Sequence, residues 1–282
     1  MPDPRLKKLL IGEFSWQRLL RSVIFLYTFF ALYVFFRADS MIFLPPPASY
    51  QDTEEILKIP VNATEAISGT YLFNPKATYT LLYIHGNAED LGTVRPVLER
   101  LHSFGFSVFA YDYRGYGTSD GHPSENNAYE EADAAYAYLT QQLNIPAEQI
   151  IVYGRSVGGG PAVDLATQQA IAGLILESTF TSVFRVVVPF PLLPFDKFPN
   201  LDKLPEIQVP VLVMHGQADR VIPFQHGQTL YEALPNPKQS LWVEAAGHND
   251  FPWVAGDRHQ QALLAFQDLI ETHQPEPVTE RQ

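Results

Sequence analysis

Gly154-Arg155-Ser156-Val157-Gly158 sets a serine between two glycines, directly after the strand-like run Ile150-Ile151-Val152-Tyr153 and directly before Gly159-Gly160-Pro161-Ala162, where a helix can begin. A strand that turns straight into a helix forces the residue at the turn into a strained backbone conformation, and only glycine on both sides leaves room for so sharp a bend. A serine presented in this way can act as a nucleophile if a base takes its proton and an acid fixes the tautomer of that base. Both appear downstream in the order such an elbow requires. Asp219 lies in His215-Gly216-Gln217-Ala218-Asp219, just past the β-rich Val211-Leu212-Val213-Met214, and His248 follows the next β-rich run, in Ala245-Ala246-Gly247-His248-Asn249-Asp250. We therefore expect Ser156 as nucleophile, His248 as general base and Asp219 as the orienting acid, converging on one rim of a parallel sheet. Acyl transfer at such a serine also needs two preorganised N–H donors for the oxyanion. Val157, the residue after the serine, supplies one; Asn87, in His85-Gly86-Asn87-Ala88 after a third strand, supplies the other.

Each of these residues has a plainer reading. Ser156 could cap the helix that follows it. His215, His226 and His259 compete with His248 as base, but His215 sits inside the motif that delivers Asp219 and the other two fall in helical segments. Glu177, at the end of Leu174-Ile175-Leu176-Glu177, rivals Asp219, with hydrogen bonding at the rim as its structural alternative. Asp250 reads as a solvated or helix-start residue. Arg114 with Asp112 reads as an internal ion pair that fixes the loop 115–117, and Tyr116 as packing near the site. There is no H-E-x-x-H, no Walker loop, and Gly158-Gly159-Gly160 belongs to the elbow, so neither a metal nor a cofactor is expected.

The series His85-Gly86-Asn87-Ala88, Tyr111-Asp112-Tyr113-Arg114-Gly115-Tyr116-Gly117, Gly154-Arg155-Ser156-Val157-Gly158-Gly159, His215-Gly216-Gln217-Ala218-Asp219 and Gly247-His248 resembles the α/β-hydrolase superfamily. It is most similar to the membrane-anchored α/β-hydrolase-domain proteins and the serine-aminopeptidase-like (S33-type) hydrolases. The resemblance covers residues 72–272 and implies a mostly parallel central sheet with helices on both faces. Characterised relatives include lipid and protein-thioester hydrolases. The segment 180–205 departs from relatives that carry a full lid domain, being much shorter.

The elements that must position these residues are legible as alternating short β-rich and longer amphipathic runs. Strands are expected at 80–85, 107–113, 150–153, 173–177, 211–215 and 240–244. Helices are expected at 94–103, 126–143, 159–169, 224–233 and 259–272, with antiparallel strands within 56–73. The run 180–205, rich in Phe, Val, Leu and Pro, has too many prolines for a regular helix and reads as a short apolar cap over the C-terminal edge of the sheet.

Upstream, Ser22 to Phe36 is a run of 15 uncharged residues. Extended back to Trp16, with Arg18 and Arg21 snorkelling, it spans about 30 Å, one hydrocarbon core. A cleavable signal peptide and a buried core helix are the alternatives; no small-x-small pattern follows Phe36. Arg5, Lys7, Lys8, Arg18 and Arg21 precede the core of the run and Arg37 follows it, which places the N-terminus in the cytoplasm and the catalytic domain outside it. The expected organisation is a cytoplasmic tail at 1–15, a transmembrane signal anchor at 16–37, a stiff Pro-rich spacer at 38–55, a hydrolase domain at 56–273 and a disordered tail at 274–282.

Composition narrows the partners. The formal net charge of −12 and the absence of a Lys/Arg stripe exclude a nucleic-acid backbone as a natural ligand, and with no cysteine there is neither a disulfide nor thiolate chemistry. The expected activity is hydrolysis of carboxylic ester or thioester bonds in an apolar, lipid-like acyl substrate. A serine peptidase of the same fold and a non-catalytic, membrane-tethered binding fold are the alternatives.

Overall fold

The computed structural model describes residues 15–235 and 237–273. Both predicted tails, Ser15 apart, lie outside them. The chain divides into two units at Met41/Ile42. The first holds all but the last residue of α1 (Trp16–Ile42), a 27-residue helix long and apolar enough to cross a membrane, which makes it a candidate span. Phe25, Phe29, Phe35 and Phe36 stand exposed along it. The helix runs past the expected end at Arg37 because nothing before Pro45 prevents it from continuing.

The second unit is built on an eight-stranded sheet. In chain order its strands are β1 (Leu57–Pro60), β2 (Ala66–Leu72), β3 (Thr80–Ile84), β4 (Ser107–Tyr111), β5 (Ile150–Arg155), β6 (Gly173–Glu177), β7 (Val211–Gly216) and β8 (Lys238–Val243). Their order across the sheet is β1-β2-β4-β3-β5-β6-β7-β8. β1 and β2 pair antiparallel, β2 pairs antiparallel with β4, and β3 to β8 are parallel. Every residue of β3, β4, β5, β6 and β7 is buried, so these strands read as continuous apolar runs rather than alternating ones. The alternation survives in which core each side chain joins. Leu82, Ile84 and Val152 point into one cluster, and Leu81, Tyr83, Ile151 and Tyr153 into the other.

Helices cover both clusters. α2 (Leu91–Ser103) and the C-terminal α9 (Asp257–His273) lie over one, through Val94, Leu98, Phe266 and Ile270; α3 (Glu125–Ala137) and α4 (Gly159–Gln168) lie over the other, through Ala128, Ala132, Ala162 and Val163. Asp90 caps α2 in a reciprocal box with Thr93, and Ser124 caps α3, so each start is set by a side chain that satisfies otherwise orphaned N–H groups. The expected helix at 126–143 is one rod whose last turn, Tyr138–Gln142, widens to a π-turn. α7 (Gln225–Ala233) lies between β7 and β8.

Three features differ from the expectations. A short α8 (Phe251–Ala255) follows His248, and Pro252 sits in its first turn, where proline starts a helix rather than breaking one. The cap holds two short helices, α5 (Val183–Val187) and α6 (Asn200–Lys203), on either side of its prolines. It is only partly sealed: Phe198 is fully buried, whereas Val187 is 82% exposed and Phe190 and Leu192 are exposed too. Finally, the segment expected as a free spacer is docked. Phe43 is buried beside Tyr113, Tyr116 and Phe198. Ser49 gives its amide and hydroxyl to Asp90 at 2.6 and 2.5 Å, and Tyr50 Oη donates to Asp112 at 2.5 Å.

The turn between β5 and α4 packs directly on the end of β3. A Cβ built on Gly158 would lie 2.1 Å from the Ile84 carbonyl oxygen, a backbone atom with no freedom to move aside. We expect Gly158→Ala to destabilise this unit by about 1–3 kcal/mol, seen as a lowered thermal midpoint by calorimetry.

Candidate active site

β5 ends at Arg155, and the next residue, Ser156, opens a single 3-10 turn before α4. Ser156 has φ +53°, a conformation L residues avoid, and Thr179 Oγ1 donates to its carbonyl at 2.6 Å. The turn closes only because Gly154 has no Cβ; one there would lie 2.6 Å from both Ala162 Cβ and the Gly158 oxygen. The serine side chain is thus held at the C-terminal edge of the sheet, 8% exposed.

His248 and Asp219 come to the same edge from the ends of β8 and β7. His248 Nε2 lies 3.0 Å from Ser156 Oγ, and His248 Nδ1 lies 2.8 Å from Asp219 Oδ2. Asp219 is fixed from three further directions. Its Oδ1 accepts the amides of Val221 and Ile222, both at 2.8 Å, and His215 Nε2 stands 3.4 Å from Oδ2. Burial raises the Asp219 carboxyl, but hydrogen bonds from His215, His248 and Ile222 outweigh it and hold the group well below the usual carboxylate range. It therefore stays an anion and a hydrogen-bond acceptor for the imidazole.

The loop after β3 abuts the elbow, since a Cβ on Gly86 would come within 3.3 Å of Ser156 Cβ. Asn87 is pinned by its side chain. Nδ2 donates to the Ile42 carbonyl at 2.5 Å, while Oδ1 accepts from Tyr116 Oη at 2.6 Å and from the amides of Leu44 and Ala88 at 2.9 Å each. Ala88 carries φ +56°. Val157, buried, follows Ser156 in the 3-10 turn. The arrangement sets a hydroxyl, an imidazole and a carboxylate in series, with the Gly86–Asn87 loop beside the hydroxyl, the parts required for nucleophilic acyl transfer.

The competing residues are elsewhere or engaged. His226, on α7, accepts from the Thr181 amide at 3.2 Å through Nδ1. His259, on α9, is fully buried near Tyr153 Oη, 3.3 Å from Nε2. Glu177 is also fully buried, accepts from Tyr153 Oη and lies 3.4 Å from Arg155 Nε. Asp250 stands at the N-cap position of α8, and its side chain reaches back to accept the Gly247 amide at 2.6 Å rather than capping the helix. The expected Arg114–Asp112 pair is not formed. Arg114 is instead ringed by Glu65, Glu130 and Glu131, and Asp112 receives His85, Tyr50 and the Leu91 amide. Sequence reasoning also passed over Glu89, whose Oε2 accepts the Gly86 amide at 2.8 Å, and the strap from Phe43 to Tyr50. A carboxylate two residues after His85-Gly86-Asn87 was the one signal available for the first.

A mostly parallel sheet in this strand order, with a strained serine between β5 and α4, defines the α/β-hydrolase fold. Residues 75–195 match the family described as serine aminopeptidase, S33. The α/β hydrolase domain-containing protein 17B of Xenopus tropicalis is 47% identical over 200 residues, covering 70% of this chain and 69% of the relative. Its human namesake is 46% identical with the same coverage. Among solved structures, an esterase of Pyrococcus furiosus aligns at a TM-score of 0.68 with 22% identity, covering 80% of this chain and 99% of its own. This protein belongs to the α/β-hydrolase superfamily, among its α/β-hydrolase domain-containing members.

Burial, then the charge of Arg100, pushes the imidazole of His259 down to about 4. An unfolded histidine titrates near 6.5, so the unfolded chain binds this proton first. Stability is fully present above that value and is lost as pH falls through about 4, a difference of about 3 kcal/mol. We expect His259→Gln to flatten the fall of unfolding free energy with pH in this window, measured by urea denaturation at a series of pH values.

Proposed function

We propose that the protein is a serine hydrolase that cleaves carboxylic ester or thioester bonds through an acyl-enzyme. The observation that carries this reading is the position of His248, 3.0 Å from Ser156 Oγ on one side and 2.8 Å from Asp219 on the other. In the proposed mechanism Ser156 Oγ attacks the acyl carbonyl while His248 Nε2 takes its proton. The tetrahedral oxyanion rests on the amides of Val157 and Asn87. The imidazolium, stabilised by the Asp219 anion, then protonates the leaving alcohol or thiol as the carbon–heteroatom bond breaks. Water deprotonated by the same His248 attacks the acyl-serine, and collapse returns the proton to Ser156 with release of the carboxylic acid.

An apolar acyl group suits the surroundings. The cap exposes Val187, Phe190 and Leu192. The hydrolase unit begins at Ile42, and its first residues are hydrogen-bonded to Asn87. With the basic residues before the span placing the N-terminus in the cytoplasm, the site would face the other side of that membrane and draw substrate from its surface.

The family description favours a second reading, an aminopeptidase, which needs an anion free to bind a substrate ammonium. Asp196 of the cap is already committed to the Ser182 hydroxyl at 2.8 Å and to the amides of Phe184 and Lys197 at 2.9 and 2.8 Å. The ester or thioester reading is therefore preferred.

Labelling of the detergent-solubilised protein with a fluorophosphonate probe tests the nucleophile. We expect Ser156→Ala and His248→Ala to lose labelling, and Asp219→Asn to fold but to lose about 10⁴-fold in kcat. A folded wild type that takes up no probe would remove the serine-hydrolase assignment. Acyl esters and thioesters should be cleaved far faster than short aminoacyl amides; the reverse preference would make the protein a peptidase.

A further inference from the structure

Arg155 occupies the variable position of the serine elbow, where its backbone is the peptide that delivers Ser156. Its side chain turns back into the molecule and is 5% exposed. Nη1 donates to Glu89 Oε1, Nε lies 3.4 Å from Glu177 Oε1, and Nη2 donates to the His248 carbonyl at 3.0 Å and to Asn249 Oδ1 at 3.1 Å. These partners come from three separate segments. Glu89 belongs to the loop after β3, and its other oxygen accepts the Gly86 amide at 2.8 Å. Glu177 ends β6 and is steadied from behind by Tyr153 Oη. His248 and Asn249 belong to the loop after β8. One guanidinium thus joins the peptide before the nucleophile to the loop that carries Asn87 and to the backbone of the base.

We infer that Arg155 is a positioning residue for the acyl transfer proposed above, setting the register of the nucleophile, oxyanion-donor and base loops against one another. The inference rests on the serine-hydrolase reading. Buried ion pairs are poor devices for stability, because the cost of desolvating both charges can exceed their attraction. What this one offers is geometry. A guanidinium presents a planar fork of donors, and here the fork donates to acceptors on two loops at once while its charge faces Glu177 at the end of β6 as a third partner. Lysine carries the same charge as a single point on a flexible stem and cannot span the three. The catalytic gain from positioning is large, since a displacement of about 1 Å can cost on the order of 10²-fold in rate.

The test compares wild type, Arg155→Met, Arg155→Lys, Glu89→Gln and the Arg155→Met/Glu89→Gln double variant, all as the full-length protein in detergent. The measurements are the fluorophosphonate labelling rate, kcat and KM on a p-nitrophenyl acyl ester, and the thermal midpoint. We expect Arg155→Met and Glu89→Gln each to lower kcat and labelling rate by about 10²-fold. KM should stay close to wild type, and for Glu89→Gln the midpoint should as well. Arg155→Lys should not recover activity, and the double variant should be no slower than the slower single one, as for residues that act as a unit. If Arg155→Met does not fold, Glu89→Gln decides alone. Wild-type kcat in Glu89→Gln, recovery in Arg155→Lys, losses that multiply in the double variant, or losses that only track a falling midpoint would each overturn the inference while leaving a labelled wild type, and so the hydrolase reading, intact. A wild type that does not label would remove the hydrolase reading, and this inference with it.

Discussion

The strained turn at Ser156 is the constraint on which the rest of the rim depends. A left-handed serine costs on the order of 1–2 kcal/mol, and it persists because everything around it is filled. Gly154 and Gly158 admit no side chain, α4 packs against β5 through Ala162, and Thr179 holds the serine carbonyl. Because β3 lies beside β5 in parallel register, Ile84 opposite Gly154, the same close packing brings the loop after β3 against Ser156. Fixing the serine therefore also fixes where an oxyanion donor can stand.

Around this turn the unit buries several charged side chains, each beside a group of opposite charge. His85 and Asp112 are both fully buried and meet at 3.2 Å, with Tyr50 and the Leu91 amide completing the carboxylate. Arg114, 4% exposed, is shared among three glutamates; burial pushes Glu131 up to about 8 despite the amide and charge of Arg114. Burial likewise pushes Glu177 up, against the pull of Arg155 and Tyr153. In a chain with net charge −12, the buried guanidinium of Arg155 ends β5 and that of Arg114 follows β4, so both sit at the C-terminal edge of the sheet.

The strap from Phe43 to Tyr50 joins the start of the hydrolase unit to the same network. It reaches Asn87 through Leu44, the cap of α2 through Ser49, and the His85–Asp112 pair through Tyr50. A segment rich in proline, which sequence composition marks as a spacer, thus forms part of the wall behind the site. Proline is no obstacle, because the strap needs neither helix nor ladder hydrogen bonds and holds on by side chains and a few amides.

How much was legible follows from the range of the interactions. The sheet, its covering helices, the elbow and the order Ser156, Asp219, His248 could be read from the chain because strand burial, helix capping and tight turns leave their marks within a few residues. The apolar helix was legible for the same reason, although its end at Ile42 was not, since no helix breaker stands at Arg37. Other features had no local trace: the partners of Arg114 and Asp112, the lock on Glu177, the docked strap, and the guanidinium of Arg155 facing three segments. Sequence alone determined which residues could do chemistry and on which edge of the sheet they would lie, because periodicity and turn geometry are local. Only the tertiary structure decided which charge meets which, because ion pairs and side-chain hydrogen bonds join residues tens of positions apart, where spacing along the chain carries no distance.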